Sequence, residues 1–390
     1  MAELRIGVVG SRFAAHLHRV AYRRVYGVQT RLAGVVSPTA ERREAFARET
    51  GATAYPSLAA MLPHVDIVDV CSPPATHEPT ALEAIDAGKH VVIEKPFTGA
   101  FTPGGGDKSA LLKEALASAT RIVSAAKRRG VILGYAENWI YAPAVQKERE
   151  IVQKTDAQIL WMMGGESHSG SHSATYGIWR HSGGGSLVGK GCHPLSACLY
   201  LKQVEGRARQ GRPIRPASVS CRVHDITRLP GFRDRGFLRT SYDDVEDYSQ
   251  LHITFDDGTV ADVFASELVL GGVHNWLEVF ANNHRTLCRL NPVNLLDTYN
   301  PVAEQFRDVY VVEKTGTKEG WSHPAADEEW QQGFYGEVQD FLECCASGRR
   351  PQADGVVAHD TVATLYAGYV SAERGGQDTP VPVAPLDTLQ

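Results

Sequence analysis

The chain has 390 residues, of which 43% are apolar and 22% are charged, and its formal net charge is −5 at pH 7. This length suits two or three domains, and the composition is that of a globular protein with sizeable buried cores. The weakly negative charge, with no basic run longer than residues 127–129, excludes a nucleic-acid binder that relies on a basic surface.

The seven cysteines indicate a reducing environment. Their number is odd and their spacing is not paired, which argues against a disulfide framework and against a zinc site. The first residues lack the pattern of a signal peptide, and no apolar run is long enough to span a membrane. We therefore expect a cytoplasmic protein without a membrane partner.

The chain begins with a strand, a glycine turn and a helix. Residues 4–9 form a mainly apolar run that includes Arg5, and apolar residues then recur at helical spacing after the turn. Such a turn offers backbone amides and a helix N-terminus to a pyrophosphate. The dinucleotide fingerprint is incomplete, because Arg12 occupies its second glycine position and Ala15 its third. We predict that the turn contacts a dinucleotide through Gly10, Ser11, Arg12 and Phe13.

The second strand, residues 32–36, ends at Ser37. NAD-binding proteins usually carry an acid here, which grips the ribose 2′-hydroxyl. The missing acid and the nearby Arg42 and Arg43 favour NADP slightly, although both arginines also suit a solvated helix. We predict that Ser37 and Arg42 contact NAD or NADP and leave the choice of cofactor open.

The next two strands end in polar residues at the same predicted sheet edge. Residues 65–71 lead into Ser-Pro-Pro-Ala-Thr-His, and residues 90–93 lead into Glu94-Lys95-Pro96. Ligands of open parallel sheets bind outside this edge, and the proline restrains Lys95 to an extended geometry. The alternation of strands and helices through residue 139 predicts a doubly wound Rossmann sheet. Further cofactor contacts are expected from Ser72, Pro73, Thr76, His77, Glu94 and Lys95.

Residues 98–108 look like an insertion after the Lys-Pro corner. Their three consecutive glycines predict mobility. Two interpretations stay open, namely a lid over the site and a disordered surface loop.

Polar residues that could contact a substrate follow the next two strands. Glu137 and Asn138 come after the strand at 131–135, and Trp139 and Tyr141 look like packing residues. A polar loop follows the strand that begins at residue 159, and its Arg180 also suits a carboxylate, sulfonate or phosphate. A metal at His168 and His172 is not favoured, because their Gly/Ser-rich surroundings do not predict a helix. The predicted substrate contacts are Asn138, Glu166, His168, Arg180 and His181.

Several motifs together resemble the Gfo/Idh/MocA family of sugar and polyol oxidoreductases. They are the glycine turn at residue 10, the Ser-Pro-Pro-Ala-Thr-His run, the run Gly-Lys-His-Val-Val-Ile-Glu-Lys-Pro at 88–96, and Gly-Cys-His-Pro-Leu at 191–195. The resemblance spans essentially the whole chain. It implies an NAD(P)-binding Rossmann domain at 1–139 and an α+β domain at 140–390 with a large, mainly antiparallel, open-faced sheet. The resemblance leaves open whether the final helices pack against the first domain.

The resemblance also implies the catalytic roles. Lys95 would bind the reacting hydroxyl or the nicotinamide side of the site, and His193 would act as general base and acid. The family's aspartate four residues earlier is Gly189 here, and its second aspartate is Ser196. We therefore expect His193 to lack a carboxylate partner. Lys190 would add a cation for an acidic group or an enolate, or would simply face solvent.

Strand-like patterns in the second half predict the open-faced sheet. They cover residues 217–226, 248–255, 260–270 and 276–281, with a hairpin turn at 256–258. Too few helices remain to cover both faces of such a sheet. We expect the open face to be buried in a homodimer or homotetramer.

Three functions remain open at this point. The first is an NAD(P)-dependent oxidoreductase acting on a hydroxyl or ketone of a sugar, polyol or sugar derivative. The second is a redox-neutral glycosidase or lyase that works through a transient keto-sugar, and the missing aspartate at Gly189 is the reason to keep it. The third is a binding or regulatory protein that kept the fold and lost its activity.

Overall fold

The computed structural model describes residues 3–171 and 173–389, and the first part of the chain forms a six-stranded parallel sheet. Its strands are β1 (Leu4–Val9), β2 (Thr30–Val36), β3 (Thr53–Tyr55), β4 (Ile67–Val70), β5 (His90–Glu94) and β6 (Leu133–Ala136). Their spatial order is β3-β2-β1-β4-β5-β6. The order reverses between β1 and β4, and ligands of doubly wound sheets bind at the carboxyl ends of the strands near such a reversal.

Helices cover both faces of this sheet, which explains why every residue of β4 and β6 is buried. They are α1 (Phe13–Tyr22), α2 (Ala40–Thr50), α3 (Leu58–Met61), α4 (His77–Asp86) and α5 (Lys108–Arg129). Short 3₁₀ helices lie at Leu62–His64, Pro74–Thr76 and Pro103–Gly105. The longest helix, α5, begins where the Asp107 side chain accepts a hydrogen bond from the Ala110 amide and ends at Gly130 with φ of 65°.

The second half of the chain builds a seven-stranded sheet. Its strands are β7 (Ile159–Ser167), β8 (Pro216–His224), β9 (Tyr248–Phe255), β10 (Val260–Ser266), β11 (His274–Ala281), β12 (Arg285–Asn291) and β15 (Thr379–Pro380). The order is β12-β11-β7-β10-β9-β8-β15, and β7 and β10 form its parallel pair. A separate hairpin pairs β13 (Thr298–Asn300) with β14 (Gly320–Ser322). The predicted fold class, a Rossmann sheet followed by a mainly antiparallel sheet, is confirmed.

Helices of the second half lie between the two sheets or return to the first. They are α6 (Asn138–Tyr141), α7 (Pro143–Thr155), α8 (Trp179–Ser182), α9 (Ser186–Gly189), α10 (Cys192–Gln210), α11 (Glu328–Gln331), α12 (Phe334–Ser347), α13 (Gly355–Glu373) and α14 (Leu386–Leu389), with 3₁₀ helices at Ala174–Gly177, Ile226–Arg228 and Ala303–Phe306. Helix α13 is buried from residue 355 to residue 371 and packs between α5 and β8. Helix α12 packs on α1. No helix among the described residues is long and apolar enough to cross a membrane.

One face of the second sheet carries exposed apolar side chains. Along β11, Leu277 and Val279 point into the core and are fully buried. On the opposite face Trp161 stacks on Phe280 with ring centroids 3.8 Å apart, and both Trp161 and Leu287 are exposed. We call this side of the sheet the open face.

The segment at residues 98–108 is not a disordered surface loop. Thr98 and Ala100 are buried, and the Ala100 amide donates a hydrogen bond to the Tyr366 hydroxyl at 2.8 Å. The Trp179 indole donates to the Ala100 carbonyl at 3.0 Å, and the Lys108 ammonium lies 4.0 Å from the centre of the Trp179 ring. The prediction of mobility failed because these anchors come from α8 and α13, far away in sequence. Strand β12 was also missed by the sequence analysis.

Candidate active site

Lys95 emerges directly after β5 and reaches the second half of the chain. Its ammonium donates a hydrogen bond to the Gly189 carbonyl at 3.1 Å, at the end of α9. Burial by itself lowers the pKa of Lys95, but the surroundings, which include Cys192 and the Glu166 carboxylate, raise that pKa above its ordinary value. Lys95 therefore places its ammonium group at the carboxyl edge of the parallel sheet.

His193 lies in the first turn of α10 and contacts two carboxylates. Its Nδ1 is 2.5 Å from Glu137 Oε1, and its Nε2 is 3.7 Å from Glu166 Oε2. The Trp139 ring stacks on the imidazole at 5.9 Å between centroids and 19° between planes. Because Glu137 is an acceptor, we assign the proton to Nδ1, which leaves Nε2 facing Glu166 and able to accept a proton.

The expectation that His193 lacks a carboxylate partner is wrong. Glu137 supplies the carboxylate, from the residue that follows β6, and its side chain is fully buried. A signal for this existed in the sheet register. Glu94 of β5 pairs with Ala136 of β6, so the next residues, Lys95 and Glu137, leave the same sheet edge side by side.

Lys190 does not face solvent and is not an unpaired cation. It is 2% exposed, and its ammonium hydrogen-bonds the Glu267 carboxylate and lies 3.3 Å from the Ser171 hydroxyl. Glu267 neutralises its charge, so the pair is a buried ion pair beside the site. The predicted role of Lys190 as an extra catalytic cation is not supported by this geometry.

Of the five predicted substrate contacts, the structure brings Glu166 and His168 to this cluster. Glu166 Oε2 is buried and accepts no hydrogen bond from the described residues. The Asn138 side chain instead donates to the Gln332 carbonyl at 2.8 Å, and Arg180 donates to its neighbour His181 at 3.2 Å. A tertiary contact thus directs the Asn138 side chain elsewhere, whereas Arg180 and His181 bond to each other locally. His172 lies outside the described residues.

Lys314 is a residue of this cluster that the sequence analysis missed. Its ammonium is 2.9 Å from His168 Nδ1 and donates a hydrogen bond to the Gly170 carbonyl. It comes from the long connection between β12 and α11, where no periodic pattern marks it. We found no signal in the sequence that predicts its position.

The turn after β1 fits a pyrophosphate. Gly10 has φ of 118°, and a Cβ there would lie 2.5 Å from the Cys71 carbonyl oxygen, so the turn closes only with glycine. No side chain caps α1 at Arg12, which leaves the first-turn amides for a ligand. The predicted contacts Ser11, Arg12 and Phe13 lie in this turn.

At the ribose end, Ser11 donates a hydrogen bond to Ser37, with 2.9 Å between their hydroxyl oxygens. The guanidinium that reaches this position belongs to Arg43, which donates to the Ser37 carbonyl at 2.9 Å. Arg42 is exposed on α2. The arginine pair thus divides into one residue that supports the Ser37 backbone and one that faces solvent.

The loop after β4 is tied to the Lys95 corner by His77. Its two ring nitrogens lie 2.8 Å from the Ser72 carbonyl oxygen and 2.9 Å from that of Pro96, and burial lowers the pKa of His77. The Thr76 hydroxyl oxygen lies 2.7 Å from the Ser72 hydroxyl oxygen and 2.8 Å from the Pro73 carbonyl oxygen. These contacts fix the loop at the edge where the nicotinamide would lie.

Glu94 belongs to a buried polar group at the end of β5. Its Oε1 lies 3.2 Å from His18 Nε2, and His18 Nδ1 lies 2.9 Å from Asp69. Burial opposes ionisation of Glu94, yet His18 and Lys95 lower its pKa below the ordinary value. The predicted cofactor contact Glu94 therefore has a structural partner in His18.

Comparisons with known proteins identify the type of fold to which the first sheet belongs. Residues 4–136 match the Gfo/Idh/MocA family, described as an oxidoreductase family with an NAD-binding Rossmann fold. UDP-N-acetylglucosamine 3-dehydrogenase of Acidithiobacillus ferrooxidans is 41% identical over 98 residues, which are 25% of this chain and 30% of that protein. D-glucoside 3-dehydrogenase of Escherichia coli is 27% identical over 207 residues, which are 51% of this chain and 54% of that protein. Both matches span less than two thirds of the relative's own length.

A similarity in fold extends over the whole chain. The crystal structure of GenD2 from gentamicin A biosynthesis, solved with NAD, superposes with a TM-score of 0.79 at 23% identity and covers 98% of this chain and 97% of GenD2. This similarity supports the fold, and the match over residues 4–136 identifies the first sheet as one of an NAD-binding type. Residues 4–136 therefore belong to the NAD-binding Rossmann fold of the Gfo/Idh/MocA oxidoreductase family.

Proposed function

We propose that the chain is an NAD(P)-dependent oxidoreductase that interconverts a hydroxyl and a ketone on a sugar, a polyol or a sugar derivative. The observation that carries this proposal is the position of His193. Its Nδ1 is held by Glu137, and its Nε2 faces the site that also receives Lys95. The turn at Gly10 and the loop after β4 would hold NAD or NADP, which would supply the acceptor for the hydride of the substrate carbon.

Lys95 and His193 handle the reacting hydroxyl and its proton in this reaction. Lys95 binds the reacting hydroxyl and stabilises the negative charge that develops on its oxygen. His193 Nε2 takes the hydroxyl proton, and Glu137 stabilises the imidazolium that results. Trp139 restricts the plane of the imidazole by stacking on it. In the reverse direction the same atoms return the proton to the carbonyl oxygen.

A sugar-like substrate is supported by Glu166. Its buried Oε2 has no hydrogen-bond donor among the described residues and lies 3.7 Å from the base. A hydroxyl next to the reacting carbon would satisfy it, since buried acceptors are rarely left unpaired. The two curated relatives described above carry the term 3-dehydrogenase in their names. We propose carbon 3 of a pyranose as the first position to test.

The reason for the redox-neutral alternative has become weaker. That alternative rested on the missing aspartate at Gly189, and Glu137 now supplies a carboxylate to His193. The Lys95 ammonium takes the space near Gly189 through its hydrogen bond to the carbonyl of that residue. The site thus contains a base, His193, and a cation, Lys95, as a dehydrogenase requires. The carboxylate partner of the base is Glu137.

The wider organisation is also part of this proposal. We place the domain boundary near residue 139, after β6, and we propose that the open face is buried in a homodimer or homotetramer. The seven cysteines are all free in the structure, which supports a cytoplasmic location.

The test is a spectrophotometric assay of the purified chain with NAD or NADP and matched pyranosides that differ at carbon 3. The proposal predicts net formation of reduced nicotinamide with substrates that carry a free 3-hydroxyl and none with the 3-deoxy analogues. His193→Gln should abolish the signal while cofactor binding, measured by calorimetry, persists. Product release without net reduction would indicate the redox-neutral reaction, and cofactor binding without turnover would indicate a binding protein.

A further inference from the structure

The connection between β12 and α11 returns to the active site at one residue, Lys314. Lys314 has φ of 57°, and Asp156 is the other non-glycine residue with positive φ among residues 3–171 and 173–389. Asp156 ends helix α7, a common place for this conformation. Lys314 follows no helix. An uncommon backbone conformation held in place by its surroundings is typical of functional sites.

The ammonium of Lys314 lies against the predicted substrate loop. It is 2.9 Å and 3.2 Å from the two ring nitrogens of His168 and donates a hydrogen bond to the Gly170 carbonyl. His168 in turn lies 3.6 Å from Glu267, the partner of Lys190. Lys314 is therefore on the side of the site that already holds one buried ion pair.

Lys314 differs from Lys190 in its charge balance. The Lys190 ammonium forms an ion pair with the Glu267 carboxylate. No carboxylate oxygen of the described residues forms an ion pair within 4.0 Å of the Lys314 ammonium. Burial and the charge of Lys190 lower the pKa of Lys314 to about 8. The site thus contains a cation that lacks an anion in direct contact.

We propose that Lys314 binds an anionic substituent, a carboxylate or a phosphate, on the sugar substrate. This inference rests on the proposed function and specifies its substrate class. An ammonium is a compact point charge that suits either group. Arg180, to which the sequence analysis gave this role, is exposed and bonded to His181 instead.

A neighbouring lysine provides a matched control. Lys318 belongs to the same connection, but its ammonium donates to the backbone carbonyls of Phe306, Arg307 and Val309 at 2.8 to 2.9 Å. Lys318 holds the connection together, whereas Lys314 presents its charge to the site. Replacing each by methionine therefore separates damage to the connection from loss of the charge.

The experiment compares kcat/KM for glucose, glucuronate and glucose 1-phosphate, and for the corresponding UDP-sugars, in wild type, Lys314→Met, Lys314→Arg and Lys318→Met. We expect the wild type to prefer acidic substrates. The ratio of acidic to neutral kcat/KM should fall roughly tenfold or more in Lys314→Met, as for loss of a charge-assisted hydrogen bond. Lys314→Arg should restore most of it, and Lys318→Met should leave the ratio unchanged. Preference for glucuronate over the phosphates would identify the carboxylate as the ligand, and the reverse would identify phosphate.

Two outcomes would overturn the inference: an unchanged ratio in Lys314→Met, or an equal fall of the ratio in Lys318→Met. Turnover of neutral sugars without any acidic preference would leave the proposed function standing and reject the inference alone. If no sugar is oxidised, the proposed function fails, and calorimetry of glucuronate and glucose 1-phosphate with the NAD complex decides the inference separately. Binding that Lys314→Met loses would support it, and binding that is absent or unaffected would reject it.

Discussion

His193 and Glu137 form a hydrogen bond of 2.5 Å between two residues that lie 56 positions apart in sequence. Glu137 follows the last strand of the Rossmann sheet, and His193 begins the helix that packs beneath the second sheet. The bond therefore joins the cofactor-binding half of the protein to the base. It fixes which nitrogen of the imidazole faces the substrate.

Replacing Glu137 by glutamine should lower kcat by about 100-fold or more, because the amide keeps the shape of the side chain but not the charge that stabilises the imidazolium. KM and the Kd for NAD should change much less. A loss of folding would not lower kcat selectively in this way. Steady-state kinetics and calorimetry measure both quantities.

The control for this variant is Glu148→Gln. Glu148 is also fully buried and also bonds a histidine, His284, at 2.8 Å, but this pair links α7 to the β11–β12 turn. We expect Glu148→Gln to affect stability without a selective loss of kcat. Equal losses of kcat in the two variants would contradict a specific role for Glu137.

Gly10→Ala should weaken binding of the dinucleotide by roughly tenfold or more. The added Cβ would lie 2.5 Å from the Cys71 carbonyl oxygen, so the turn must open at the position of the pyrophosphate. Titration with NAD measures the effect on binding, and urea denaturation measures the effect on stability.

Gly10→Ala should be destabilised both by the positive φ and by the contact of the added Cβ with the Cys71 carbonyl, and Gly51→Ala separates these two effects. Gly51 also has positive φ, 77°, but a Cβ there meets no atom within 4 Å. Both variants bear the conformational cost of about 1 kcal/mol. Gly10→Ala should lose about 1 to 3 kcal/mol more in its free energy of unfolding. Unchanged NAD binding in Gly10→Ala would reject the assignment of this turn.

The stability of the protein should fall as the pH rises from about 5 to 8, in part because of Glu246. Its side chain accepts hydrogen bonds from the amides of Gly185 and Leu187 and from the Tyr369 hydroxyl, and burial raises its pKa to about 7. The folded state therefore binds a proton more tightly than the unfolded state does. This contribution is complete below pH 4.5 and is lost as the pH passes 7.

Glu246→Gln removes the carboxyl group that binds this proton. The difference between the unfolding free energies at pH 5 and pH 8 should shrink by about 3 kcal/mol at most, and urea denaturation at the two pH values measures it. Glu150→Gln in α7 serves as the control that should leave the difference unchanged, because Lys147 and Lys154 lower the pKa of Glu150 to about 2 and it stays ionised over this range. A pH dependence equal in wild type and Glu246→Gln would exclude Glu246 as the group responsible.

The open face offers a test of assembly. Trp161→Glu places a charge beside Phe280 at the centre of this face and should convert the expected dimer or tetramer to smaller species. Trp321 is more exposed, at 73%, but lies on the β13–β14 hairpin, so Trp321→Glu should leave the assembly intact. Light scattering after gel filtration measures both. A monomeric wild type would reject the proposed assembly.

Features that depend on neighbouring residues were predictable from the sequence. The parallel sheet follows from strands and helices that alternate at short spacing, and the Lys95 corner follows from a buried strand that ends at a proline. Their determinants lie within a few residues, so periodicity and turn chemistry are sufficient to predict them.

Features that depend on distant contacts were not predictable. The segment at 98–108 is fixed by Tyr366, 266 residues further along, and Lys314 reaches His168 across 146 residues. Glu137 is the intermediate case. A local pattern placed it after a strand, but its partner His193 became evident only when the β5–β6 register and the position of α10 were known.

The most direct test of the proposed function follows the hydrogen on the reacting carbon. The purified chain is incubated with oxidised NAD or NADP and a pyranoside that carries deuterium on carbon 3, and the nicotinamide is analysed by mass spectrometry. A dehydrogenase with His193 as its base transfers the deuterium to the nicotinamide in wild type, and His193→Gln should abolish the transfer. Cofactor binding without deuterium in the nicotinamide, for pyranosides labelled at each ring carbon in turn, would contradict the proposed function.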